Sequence, residues 1–241
     1  MNKPANKAPA RKQAAATGSS KPKKRQPQRY RPQKPPRLRC FFGIRYTLAD
    51  ALEPVRQELI ALGDKADKLR LATDENLHIT LKFLGSLEEA SLPALEPVLQ
   101  QVAARFAPLT LTASGLGFFK NSVWIGIEAQ DRLTAIAREL DLASIALEVP
   151  AETRPYTPHV TVARYGKGSN IPQAALKEKF AEQQWGTFEA DRICLYRSDT
   201  LAEGARYTVI SEAVLSGEAL ASGEALASGE ALASNEESKP D

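Results

Sequence analysis

Histidine is nearly missing from this sequence: two residues in 241. Cysteine also numbers two and methionine one. No run of 18 apolar residues occurs, so no segment reads as a membrane-spanning helix, and the polar, charged N-terminus lacks the apolar core of a secretory signal. We therefore expect a cytoplasmic chain that does not enter membranes, with Cys40 and Cys194 as reduced, structural thiols. Neither cysteine has a histidine near it in sequence, which argues against a thiol nucleophile. Two histidines are too few for a histidine-built zinc site, and no carboxylate recurs beside both. There is no G-x-S-x-G, no G-x-x-x-x-G-K-[ST] and no G-x-G-x-x-G. These absences remove the commonest hydrolase, nucleotide-triphosphate and dinucleotide signatures.

Acidic residues are absent before Asp50, whereas residues 1–39 hold 13 Lys and Arg and 7 of the 16 prolines. Apart from Met1 and Tyr30, large apolar side chains are missing there up to Leu38, so the segment cannot offset its chain entropy by burial. Residues 1–38 read as a disordered basic arm. It suits RNA or ribosomal phosphates, or serves only as a solubilising extension. At the other end, residues 216–234 repeat SGEALA three times before a final Ser. A step of six turns a helix by about 240°, so Leu220, Leu226 and Leu232 would form no stripe. Residues 216–241 read as a disordered acidic tail. The formal charge of +3 is then a sum of unlike parts, and residues 39–215 form the folded domain.

Within that domain two periodicities alternate. Strand-like runs occur at Cys40–Arg45, Lys68–Ala72, His78–Phe83, Leu109–Thr112, Val123–Glu128, His159–Arg164, Phe188–Arg197 and Arg206–Ala213. Helical patterns occupy Asp50–Leu62, Ser91–Phe106 (Ser91 as N-cap), Asp131–Ala146 (Asp131 as N-cap) and Pro172–Gln183. Gly115 and Gly117 interrupt the strand pattern before Val123. The layout looks doubled. We expect an α+β fold of two pseudo-symmetric lobes, each an antiparallel-rich sheet with helices outside, around a central cleft.

Both histidines sit in the same short pattern, His78-Ile79-Thr80-Leu81 and His159-Val160-Thr161-Val162, each with a Gly seven positions after the His. On a strand, His and Thr share one face and the aliphatics the other. Two such strands side by side would bring two imidazoles and two hydroxyls into one space. One imidazole protonated and one neutral is an acid–base pair suited to displacement at phosphorus. Two ordinary strand histidines remain the plain alternative.

The sequence resembles the RNA 2′,3′-cyclic phosphodiesterases of the 2H phosphoesterase superfamily, also called 2′-5′ RNA ligases, over roughly residues 38–215. RCFFGI at Arg39–Ile44, NLHITLKFLG at Asn76–Gly85, VWIGI at Val123–Ile127, PYTPHVTVAR at Pro155–Arg164 and LYRSDTLAEGARYTVI at Leu195–Ile210 follow the family's order. Val162 stands where Leu is usual. The resemblance implies one motif strand per lobe and no cofactor or metal. It implies opening of a cyclic phosphate at RNA 3′ ends, tRNA fragments included, to a 2′-phosphate, and in some members 2′-5′ joining of tRNA halves. It assigns His78 as proton donor, His159 as proton acceptor, and Thr80, Thr161 and Arg164 as phosphate ligands. Strand alternation would point Arg164 away from His159 unless the chain bulges. Phe42 and Tyr156 are base-stacking candidates, with core packing as their alternative; Cys40, Trp124 and Trp185 are assigned to structure. A monomer is expected, since the two lobes complete the site. Other functional readings are an RNA-binding protein that keeps the cleft without turnover, and a ligase or a hydrolase of other nucleotide cyclic phosphates.

Overall fold

The computed structural model describes residues 35–128, 130–202 and 204–218. The basic arm up to residue 34 and the hexad tail from residue 219 lie outside the described residues. The first strand, β1 (Arg37–Arg45), begins two residues before the expected domain boundary.

The chain continues through α1 (Glu53–Ala61), β2 (Arg70–Leu71), β3 (His78–Glu88), α2 (Leu95–Ala103), β4 (Leu109–Phe119), β5 (Ser122–Ile127), α3 (Asp131–Ile145), β6 (His159–Arg164), α4 (Gln173–Lys179), β7 (Gln184–Ala190), β8 (Arg192–Thr200) and β9 (Ala205–Val214). Several element boundaries depart from expectation. β4 does not stop at Thr112 but runs through Gly115 and Gly117 to Phe119, the glycines marking an irregularity in its pairing with β5. Ser91 and Pro93 fall in a 3-10 segment, Glu89–Ala94, and α2 starts only at Leu95. That start puts Pro97 in the first turn, where its missing N–H costs no helical bond. Gln130, not Asp131, is the N-cap of α3; Asp131 is the first helical residue, where its charge complements the helix dipole. A further difference concerns topology. The run Phe188–Arg197 breaks at Asp191, and its two pieces lie in different halves of the sheet.

The strand order is β7-β4-β5-β6-β3-β1-β8-β9, with β2 beside β6 and every recorded pairing antiparallel. The two lobes are β6-β5-β4-β7 and β3-β1-β8-β9, each led by a motif strand. The last two strands complete the lobe that the first strands began. The lobes join at the seam between β3 and β6, where Ile79 pairs with Val160.

The main core gathers alternate strand residues, including Phe42, Ile44, Ile79, Leu81, Val160 and Val162, with Leu59, Leu99, Leu133, Leu140 and Leu176 from the helices. In α3 the buried Leu133, Ile136, Ala137, Leu140 and Ser144 fall at helical spacing. Each fully buried Leu or Ile contributes about 1.5–3 kcal/mol, so this face anchors the motif strands firmly. A separate small cluster of Phe41, Cys194 and Tyr196, with Tyr207 beside it, belongs to the other face. Among the described residues no helix is long and apolar enough to cross a membrane.

Candidate active site

The two motif strands run antiparallel, so the Ile79–Val160 pair dictates their neighbours. His78 lies across from Thr161, and Thr80 across from His159. The cleft is accordingly divided in two. A cavity of about 710 Å³ is lined by Thr80 and His159, and one of about 690 Å³ by His78. Thr161 and Arg164 line both.

Arg164 reaches the cleft because β6 carries a bulge. Its pairing with β5 runs Arg164–Ser122, Ala163–Val123, Thr161–Trp124, leaving Val162 without an opposite residue. Val162 and Ala163 are both buried, the alternation slips by one, and Arg164 emerges on the side of His159 and Thr161. β3 slips at the same offset. Leu81 is skipped against β1, Leu81 and Lys82 are both buried, and Phe83 emerges beside the cleft, where it lines the larger cavity. Five residues after each histidine, one lobe thus presents a guanidinium and the other an aromatic ring. The shared glycine offset has two different causes. Gly85 has φ +72°, while a Cβ on Gly166 would lie 2.3 Å from an Asp67 carboxylate oxygen.

Each imidazole is held in the same way. Nδ1 of His78 lies 2.7 Å from the Asn76 carbonyl, and Nδ1 of His159 lies 2.7 Å from the Thr157 carbonyl. A carbonyl only accepts, so Nδ1 carries the proton in both rings. Nε2 is then the atom that can take or give a proton. Asn76 is itself pinned: its side-chain amide donates to the Ala205 carbonyl at 2.9 Å and accepts from the Tyr207 N–H at 3.1 Å. The β9 edge therefore sets the carbonyl that orients His78.

Aromatic rings wall both imidazoles. His78 lies 4.6 Å from Phe41, 4.7 Å from Tyr207 and 5.8 Å from Tyr196, centroid to centroid. His159 lies 5.0 Å from Phe119 and 5.8 Å from Trp124. Burial pushes the His78 pKa down to about 4 against the opposing effect of the Asn76 hydrogen bond, and charge on His159 and Arg164 lowers it further. His159 is lowered as well, first by burial, with the Thr157 bond opposing and Arg164 assisting. Both shifts favour the neutral imidazole.

Phe42 is not a stacking residue. It is fully buried in the main core, because alternation along β1 sends Phe42 inward and Phe41 to the His78 side. Tyr156 does line the larger cavity, half-buried, with its hydroxyl donating to the Thr80 carbonyl at 3.2 Å. Trp124 is more than structural, since its indole flanks His159. It also lies over Gly117, where a Cβ would come within 2.1 Å of the ring. Trp185 is buried in the core, and Cys40 and Cys194 are buried free thiols whose pKa values burial raises.

Sequence reasoning missed Phe41, Tyr196, Tyr207, Phe119, Asn76 and Lys82. Lys82 is buried and pairs with Asp141 of α3 at 2.5 Å while donating to the Pro150 carbonyl at 2.6 Å. It ties the strand that bears His78 to the segment leading to His159. No spacing rule would find these residues, because each is placed by a contact with an element distant along the chain. Among the described residues no three His, Cys, Asp or Glu side chains gather as a potential metal-binding group.

The family model of the 2′-5′ RNA ligase superfamily matches residues 46–201, which include both motifs. The chain belongs to this superfamily. A superfamily relative from Methanocaldococcus jannaschii, named RNA 2′,3′-cyclic phosphodiesterase, is 31% identical over 73% of this chain and 99% of its own. One of the same name from Methanothermobacter thermautotrophicus is 29% identical over 71% and 96%. The fold matches the crystal structure of E. coli LigT complexed with 3′-AMP, with a TM-score of 0.60 and 23% identity over 75% of this chain and 99% of that one. The α+β architecture expected from sequence is thereby shown for this member of the superfamily.

Proposed function

We propose that this chain opens the 2′,3′-cyclic phosphate at RNA 3′ ends, without metal, to leave a 2′-phosphate. The observation that carries this reading is the arrangement of the imidazoles. Both have Nδ1 occupied by a carbonyl two residues earlier and Nε2 left for substrate, and each faces a threonine from the opposite motif strand. The names of the M. jannaschii and M. thermautotrophicus relatives support the same substrate.

In this mechanism neutral His159 takes a proton from water through Nε2 as the water oxygen bonds to phosphorus. The bond from phosphorus to the 3′ oxygen breaks, and protonated His78 gives its proton to that oxygen. Thr80 and Thr161 donate hydroxyl hydrogens to the non-bridging oxygens, and Arg164 offsets their growing charge. Solvent exchange then restores both rings. His78 must be charged for this step, and the phosphate anion drawn between it and Arg164 raises its low pKa. The five-membered ring of the substrate supplies strain that an open diester lacks.

The substrate class is RNA, tRNA fragments included, and the protein works in the cytoplasm as a monomer, because one chain supplies both histidines. The basic arm serves RNA or ribosome recruitment.

The test is a short RNA with a 2′,3′-cyclic phosphate end, incubated in EDTA with the wild type, His78→Ala and His159→Ala. A 2′-phosphate product from wild type alone is expected. Turnover that survives either substitution, or that EDTA abolishes, overturns the mechanism. Binding without turnover would leave an RNA-binding role.

A further inference from the structure

The two cavities beside the seam differ in character. Among the described residues only Phe83 and Phe119 are exposed aromatic rings, at 57% and 44% exposure. Both line the larger cavity. A half-exposed phenyl ring forgoes about half of the roughly 1.5–3 kcal/mol of full burial, and two in one cavity of the active site call for a ligand with flat apolar faces.

Charge in that cavity is equally one-sided. Its two acids are already paired: Asp141 with Lys82, and Glu152 with Arg154, at 3.0 Å from both Nε and NH2. Lys120, Arg138 and Arg164 also line it, and none has an ion-pair partner among the described residues. Arg138 stands on the side of α3 that carries Thr134, Ala137 and Asp141, one to two turns of helix forming a wall of the cavity. The smaller cavity has Arg70 and Arg206 but also Glu75, and its aromatic ring, Tyr207, is half-buried against His78 and Phe41 instead of exposed.

Flat faces together with cations match a single-stranded polynucleotide, whose bases stack and whose phosphates need neutralising. Resting on the reading above, we infer that the larger cavity is the binding track for the RNA chain upstream of the reacting phosphate. Bases stack on Phe83 and Phe119, and Lys120 and Arg138 hold backbone phosphates. The smaller cavity then serves the His78 side of the reaction and does not carry the chain. The preferred substrate is an oligoribonucleotide rather than a mononucleotide.

The experiment measures kcat/KM for a nucleoside 2′,3′-cyclic monophosphate and for a tetraribonucleotide ending in the same cyclic phosphate. The wild type is compared with Phe83→Ala, with Lys120→Gln/Arg138→Gln, and with Arg70→Gln in the smaller cavity. The readout is the ratio of the two values. The wild type should favour the tetranucleotide. The double substitution should lower the ratio about tenfold, and Phe83→Ala about fivefold or more. The slope of log kcat/KM against log salt for the tetranucleotide should flatten by about 1.4 in the double variant, as expected for two lost single-strand phosphate contacts. Arg70→Gln should leave ratio and slope as in the wild type. A wild-type ratio near one, unchanged by these substitutions, overturns the track while the phosphodiesterase reading stands. So does a fall in the ratio confined to Arg70→Gln. Absence of turnover on both substrates by the wild type overturns both readings together.

Discussion

His78 and Thr161 lie across from one another at the seam of the sheet, and Thr80 and His159 do the same one step away, because Ile79 pairs with Val160. Each imidazole therefore sits beside the other motif's hydroxyl as well as on the same face as its own. A phosphate bridging the seam would meet one histidine on each flank, the arrangement that in-line displacement requires. The same crossing separates the cleft into a His159 cavity and a His78 cavity.

Removing either imidazole should be about equally damaging. His78→Ala and His159→Ala should each lower kcat by about 10²–10⁴-fold. The double variant should fall little further than the worse single one, since acid and base act as a unit. Steady-state kinetics on a cyclic mononucleotide measures this. Multiplicative losses in the double variant would mean that the two rings act independently.

The pH profile of kcat/KM should be bell-shaped and displaced to acid. The free protein must hold one ring protonated and one neutral. The His78 pKa is pushed down to about 4 and that of His159 is also lowered, so the protonated fraction decays as pH rises through values below the usual 6.5. The optimum of kcat/KM should lie below pH 6.5. The kcat profile should sit at higher pH, because bound phosphate raises the acid's pKa. Identical profiles for the two would contradict that role of the substrate anion.

The same shift bears on stability. A histidine whose folded pKa lies below its unfolded value binds protons preferentially in the unfolded state between the two. The contribution of His78 is thus intact above about pH 6.5 and is lost progressively as pH falls towards 4. Denaturant titrations of wild type and His78→Gln should converge in stability on acidification through this window. A constant gap would rule the linkage out.

Asn76 should matter through His78. Asn76→Ala removes both bonds to β9 and frees the carbonyl that holds Nδ1. A catalytic ring displaced by about 1 Å can cost about 10²-fold. The loss should fall on kcat, with KM changed little, and the low-pH limb should move because His78 loses its fixed partner. A fall in stability with kcat unchanged would make Asn76 merely structural.

Lys82→Met should destabilise the fold by about 3 kcal/mol, because Asp141 would be left without its buried partner. Lys82→Met/Asp141→Leu should recover most of that loss, since no unpaired charge remains. Urea unfolding of the single and double variants decides it.

Much was legible in the chain itself. The paired H-x-T strands, the four helices and the doubled α+β plan all follow from periodicity, and periodicity is local: alternation along β3 or the spacing of Leu133, Ile136 and Leu140 needs no knowledge of neighbours. The run Phe188–Arg197 shows the limit. Its pattern is that of strand throughout, yet the chain leaves one lobe and enters the other at Asp191, which depends on which strands have open edges.

The contents of the site beyond its histidines belonged to tertiary structure. Sequence offered Phe42 as a stacking or a core residue, but only the placement of β1 between β3 and β8 shows that Phe42 enters the main core while Phe41 is buried on the opposite face against His78. The bulges at Leu81 and Val162 are likewise silent in sequence, because an extra residue is defined only against a partner strand. Those two insertions turn Phe83 and Arg164 to the side of the histidines. Two nearly identical motifs thereby become unlike halves, one ending in an aromatic ring and the other in a fixed positive charge.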